Sequence, residues 1–142
     1  MDDTLEKHVR GLMEGSPVIR DLLRFELVSV EPGQVTFAID YRTELSYMEG
    51  AFQGTVTTAL AEFAGAFSCL TLVPLDWPSM TLEQSIHFTG PAVGDRLVAE
   101  GKVISPGRTA SMAQVEVYAE SDGKRQLCAV MTQTNRHIAP RK

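Results

Sequence analysis

No apolar run in this chain is long enough to cross a bilayer. The greasiest stretch, residues 63–75, is too short and too interrupted for a transmembrane helix, which needs about 20 apolar residues. Cysteine is scarce: Cys69 and Cys128 are too few for a disulfide framework, fit a reducing cytosol, and read as small buried hydrophobes. There is no basic run, and the net charge of -5 excludes a nucleic-acid or anionic-membrane surface, so an anionic ligand would need a local basic cluster. His8, His87 and His137 have no metal-ligand spacing and no partner cysteine or carboxylate, so no metal is expected. No G-x-S-x-G elbow or Cys–His signature marks a nucleophilic serine or cysteine, and no G-x-x-x-x-G-K phosphate loop occurs. The opening MDDTLEKHVRG is too acidic for a signal peptide. The expectation is a cytoplasmic protein whose 142 residues, 1–142, make a single domain with a real core.

What is present is concentrated in one place. Residues 50–75 read GAFQGTVTTALAEFAGAFSCLTLVPL, and Glu62 is their only charge. Burying an unpaired carboxylate costs several kcal/mol, so such a residue is kept more readily where chemistry needs it. Around it the periods are legible. Leu5, Val9, Leu12 and Met13 recur at helical spacing over residues 4–14, behind Asp3 or Thr4 as cap. Ser16-Pro17 opens a short second turn with proline in the first helical position. Residues 24–30 read as a strand, Glu31-Pro32-Gly33 as a turn, and residues 34–41 alternate with Val35, Phe37, Ile39 and Tyr41 on one face. Residues 54–72 favour a helix by their length, their alanines and their lack of alternation.

After Pro78 the period returns to two, with Met80, Leu82, Ile86 and Phe88 on one face and Thr81, Glu83, Ser85 and His87 on the other. Strands are expected over 96–104, 109–120 and 125–134, joined by Ser105-Pro106-Gly107-Arg108 and by the hairpin signal Asp122-Gly123. The class is α+β: a short N-terminal helix, two strands, a long buried helix and a meander of about four strands. Ala59, Ala61, Ala64, Gly65 and Ala66 are small enough for an antiparallel sheet to wrap closely around that helix.

This order and these residues resemble the hotdog fold, in its PaaI-like acyl-CoA thioesterase branch, from the strand at Arg24 to Arg136. That branch carries an Asn, a His-Gly-Gly at the helix start, and an acidic residue nine positions after the His. In EGAFQGTVTTALAEFAG, Gln53 stands in the His position, Gly54 matches the first Gly, Thr55 replaces the second, and Glu62 falls on the catalytic acid. Tyr47 stands where the family has its Asn or Gln. The later MTLEQSIHFTGPAVGDRL resembles the family strand that ends before Gly-Asp, and a family Ser or Thr that assists the water maps to Thr81. The resemblance implies a homodimer, or two such dimers paired.

The chemistry also follows from the residues themselves. A thioester carbonyl needs a donor aimed at its oxygen as charge develops. Gly54 begins a helix, where N–H groups are unsatisfied, and glycine leaves room for a ligand. Glu62 can activate water or attack directly. Eight helical residues, about 12 Å at roughly 1.5 Å each, separate the two, so one carbonyl meets both only if they come from different subunits. Phe52, Phe63, Phe67 and Met80 are candidate linings of an acyl pocket. Arg108, with Lys102 and Arg136 behind it, is the candidate for the phosphates of coenzyme A, which enters as part of the substrate and not as a cofactor. The leading expectation is hydrolysis of medium-chain or aryl acyl-CoA thioesters. A non-catalytic acyl-CoA-binding protein is the alternative. An enoyl-thioester hydratase or dehydratase ranks last, because no histidine lies near Gly54 or Glu62 in sequence.

Overall fold

The computed structural model describes residues 3–141. Residues Asp3–Glu14 form helix α1. The expected second turn is a π-helical segment, Val18–Leu23, with Pro17 as its N-cap and Arg24 closing it at φ 55. That left-handed cap delays the first strand, expected from residue 24, to Glu26–Glu31 (β1). Gln34–Asp40 (β2) follows, its Val35, Phe37 and Ile39 all buried. A small ribbon of Ser46–Met48 (β3) and Ala51–Phe52 (β4), which the sequence did not announce, leads into the long helix Gly54–Leu70 (α2). Then come Ser79–Phe88 (β5), Arg96–Ser105 (β6), Ala110–Ser121 (β7) and Lys124–His137 (β8).

The six long strands make one antiparallel sheet in the order β1-β2-β6-β7-β8-β5, which packs from β2 round to β5 against α2. The β7–β8 hairpin turns at Asp122-Gly123, both at positive φ (51 and 73), as a two-residue turn of this hand requires. Two glycines let helix and sheet meet. A methyl group on Gly101 of β6 would sit 2.5 Å from the Ala64 carbonyl oxygen, and one on Gly65 would sit 2.9 Å from the Gln133 side-chain amide. Ser68 ties the helix down, donating to the Ala64 carbonyl (2.6 Å) and accepting from the Val35 N–H (3.1 Å). Of the five small residues expected at the contact, Ala61, Ala64 and Gly65 are buried, while Ala59 and Ala66 turn partly outward.

β5 departs from the expected alternation. Glu83 pairs with Thr134 and Thr81 with Asn135, which leaves Leu82 as an extra, bulged residue. One inserted residue exchanges the faces on either side of it. Thr81 therefore shares the inner face with Ile86 and Phe88, and Met80 turns outward opposite Arg136. The single-face grouping of Met80 with Ile86 and Phe88 is corrected on this ground.

Candidate active site

Glu62 lies on the flank of α2 that meets β8 and β5. It is half-buried, and its carboxylate has no hydrogen bond or ion pair among the described residues. Its backbone carbonyl accepts from Gln133 Nε2 (3.3 Å), and the same nitrogen reaches Thr81 Oγ1 at 3.4 Å. The bulge at Leu82 is thus what brings Thr81 to the side of the helix that carries the acid.

The N-terminus of the helix, about two turns before Glu62, holds the expected donor. Gln53 is the N-cap, extended at φ -63, ψ 138, with no side-chain capping bond; its carbonyl accepts from the N–H groups of Val56 and Thr57. The Gly54 N–H has no partner among the described residues, as the first turn of a helix leaves it. A Cβ on Gly54 would lie 3.6 Å from the ring of Phe88, the last residue of β5. β5 therefore runs antiparallel beside α2, with Thr81 near Glu62 and Phe88 near Gly54. Within one chain, acid and donor are therefore held about 12 Å apart along the helix, at roughly 1.5 Å per residue. Tyr47 is 63% exposed on the ribbon before the helix.

The remaining expected residues divide. Phe63 and Phe67 line a cavity of about 610 Å³ on the outer side of α2, closed by Leu12 and Ile19 and by Trp77 through Ser79. Phe52 does not join them: it is fully buried and packs edge-on against Tyr41. Met80 faces away because of the bulge. Arg108 lies over the Trp77 ring, 5.8 Å from its centroid, in a second hollow with Leu72 and Pro106. Trp77 borders both spaces, so Arg108 stands beside the mouth of the first. Lys102 and Arg136 lie elsewhere. Lys102 pairs between Gln34 and Gln114 on the outer, convex face of the sheet, and Arg136 shares that face with Met80. Both therefore point away from α2, across the sheet from the cavity at Phe63 and Phe67.

Two residues of the site were not anticipated. Gln133 and Asn135 are 0% and 1% exposed on the inner face of β8. Gln133 Nε2 donates to Asn135 Oδ1 at 2.6 Å, and Asn135 Nδ2 donates to Ser79 Oγ (3.3 Å) and Thr81 Oγ1 (3.4 Å). Gln133 Oε1 is left buried without a partner, at a cost of about 1–3 kcal/mol. Turning the amide over would instead oppose that oxygen to the Glu62 carbonyl. Further along the same face, His137 Nε2 and Ser111 Oγ are bonded at 2.9 Å, and burial pushes the imidazole pKa down. Both are too buried to reach a substrate. Burial pushes the thiols of Cys69 and Cys128 up to about 11, which leaves them protonated and poor nucleophiles.

An antiparallel sheet curled around one long helix defines the hotdog class, and residues 49–126 match the thioesterase superfamily. The chain belongs to that family and is a thioester hydrolase. A thioesterase family protein of Silicibacter pomeroyi superposes with a TM-score of 0.91 over 96% of this chain and 99% of its own, at 25% identity. The E. coli PaaI protein of the phenylacetic acid degradation operon superposes at 0.83 over 95% of this chain and 94% of its own, at 16% identity. Human acyl-coenzyme A thioesterase 13 is 22% identical over 125 residues, 87% of this chain and 89% of that one. No helix among the described residues is long and apolar enough to cross a membrane.

Proposed function

We propose that the chain hydrolyses acyl-coenzyme A thioesters in a homodimer, each site taking Glu62 from one protomer and the Gly54 N–H from its partner. The observation that carries this is the separation just described: an unpaired acid at the middle of the helix and an unpaired donor at its N-terminus, about 12 Å apart at roughly 1.5 Å per residue. β5 supports it as well. It is a ten-residue strand at the edge of the sheet, with Met80, Leu82 and Phe88 exposed, and such an edge is a template for a further strand. A second copy pairing antiparallel along β5, about a two-fold between Gln84 and Ser85, sets Thr81 opposite the partner's Phe88. Glu62 then faces the partner's Gly54.

In such a site water attacks the thioester carbon while Glu62 accepts its proton. The Gly54 N–H stabilises the oxyanion; collapse expels the thiolate, which takes the proton back from the Glu62 carboxylic acid. Direct attack by Glu62 through an anhydride uses the same groups. Under single turnover in labelled water, solvent oxygen appears in the Glu62 side chain only on that route. Gln53 and Tyr47 flank the donor end as further contacts for the thioester. The acyl group enters the cavity at Phe63 and Phe67, and Arg108 meets a phosphate of coenzyme A at its mouth.

Thiol release from a panel of acyl-CoAs tests the proposal. Glu62→Gln should lower kcat by roughly 10²–10⁴-fold, the usual contribution of a positioned base. Full activity in that variant sinks the assignment.

A further inference from the structure

A serine and a histidine sealed in the core, out of reach of substrate, need another reason to be there. Ser111 and His137 are 2% and 3% exposed on the inner faces of β7 and β8. Burying such groups is costly unless their hydrogen bonds are made, and theirs lead to one place, the loop of residues 106–109 between β6 and β7. The Gly107 N–H donates to Ser111 Oγ at 3.1 Å. The same oxygen stands 3.3 Å from the Gly107 carbonyl oxygen and 2.9 Å from His137 Nε2. The His137 backbone N–H donates to the Thr109 carbonyl at 2.8 Å. A hydroxyl has one proton and two acceptor positions, so the Ser111 contacts are all hydrogen bonds in one arrangement only. Ser111 gives its proton to the Gly107 carbonyl and accepts from the Gly107 N–H and from an N–H at His137 Nε2. His137 Nδ1 has no partner among the described residues.

The residue after Gly107 is Arg108, whose guanidinium lies over the Trp77 ring, and all three line the second hollow. The loop folds back tightly: a methyl group on Gly107 would come 2.2 Å from the Ala110 carbonyl oxygen. The Trp77 side is tied to the same strand end, because the Ile138 N–H donates to the Pro78 carbonyl (3.0 Å). The end of β8 thus holds both sides of the cavity mouth, Arg108 through His137 and Trp77 through Ile138. We infer that Ser111 and His137 are positioning residues for Arg108, fixing its loop through Gly107 and Thr109 so that the guanidinium stands ready for a phosphate of coenzyme A. This rests on the reading of Arg108 as the partner of that phosphate. Ordering a loop and a long side chain on binding costs affinity, and a loop held in place beforehand avoids that cost. Ser111 and His137 therefore act on KM and not on the chemical step.

The test compares the acyl-CoA of the panel that is hydrolysed fastest with the pantetheine thioester of the same acyl group, which has no phosphate. Ser111→Ala and His137→Leu should each raise KM for the CoA thioester, by about fivefold at most, the upper worth of an exposed charge pair. KM for the pantetheine thioester should hold, as should kcat for both. Arg108→Ala should raise the same KM, and adding Ser111→Ala to it should raise it no further, because Ser111 acts through Arg108. His137→Gln, which keeps a donor near the place of Nε2, should hold the wild-type KM. The inference is overturned if KM rises alike for both substrates, if the Ser111→Ala and Arg108→Ala effects multiply, or if Arg108→Ala alone raises KM. Ser111→Ala carries the comparison if His137→Leu does not fold. Trp77 is the chain's one tryptophan and reads the loop without substrate. Ser111→Ala and Arg108→Ala should open it alike to acrylamide quenching, and wild-type quenching in Ser111→Ala also overturns the inference. Should Arg108→Ala leave KM unmoved, the phosphate assignment fails, while the quenching still decides whether Ser111 and His137 hold the loop.

Discussion

At the scale of single residues, one acid is exempted from the rule that buried polar groups find partners, and Glu62 was legible for that reason: nothing else charged lies within a dozen positions on either side. Gln133 and Asn135 were not legible. In β8 the inner residues Met131, Gln133, Asn135 and His137 alternate with Val130, Thr132, Thr134 and Arg136. Polar side chains stand on both faces there, so the contrast that usually marks the core side is missing. Extending the phase of Ala129 and Met131 along the strand would have placed them inward. His137 carries a separate consequence. Burial depresses its pKa in the folded state, so the unfolded chain, near 6.5, binds the proton more readily. Stability should be flat above that value and fall as pH drops below it, until the folded-state value is passed. Urea midpoints measured from pH 8 down to 5 check this, and His137→Gln should flatten the slope.

At the scale of elements, the hydrophobic rod of α2 and the alternation of β2 were readable because each satisfies one period throughout. β5 was misread between Ser79 and Leu82, because a bulge inserts a residue without any local signature in composition. Its effect is chemical as well as structural, since it exchanges Met80 for Thr81 on the face that meets Glu62. Lysine substitutions read the two faces directly. Met80→Lys should change stability by no more than about 0.5 kcal/mol, as exposed substitutions do, whereas Thr81→Lys places a charge among Gln133, Asn135 and the helix and should cost several kcal/mol. Equal losses in denaturant midpoint would contradict the bulged register. The helix seat is tested at Gly101, where an added methyl meets backbone atoms of Ala64 that no rotamer change can move. Gly101→Ala should cost about 1–3 kcal/mol, read as a lowered midpoint with unchanged slope.

At the scale of the whole molecule, the antiparallel course of β5 beside α2 couples the sheet's free edge to the chemistry. If the edge pairs with its own copy, two half-sites, one at the start and one at the middle of the helix, become two whole sites, and neither protomer suffices alone. Complementation distinguishes this from a site within one chain. Gly54→Pro removes the donor at a first helical position, where proline is tolerated, and Glu62→Gln removes the base; each homodimer should be nearly inactive. A heterodimer of the two joins an intact Glu62 to an intact Gly54 in one of its two sites and both lesions in the other. With equal random exchange in a symmetric dimer, half the molecules are heterodimers, and activity should return to about a quarter of wild type. Were both groups drawn from one chain, every protomer in the mixture would carry a lesion in its own site, and verified heterodimers would stay silent. Size measurement on the same samples keeps the outcomes apart, because a monomeric protein with full activity would contradict the shared site before any mixing.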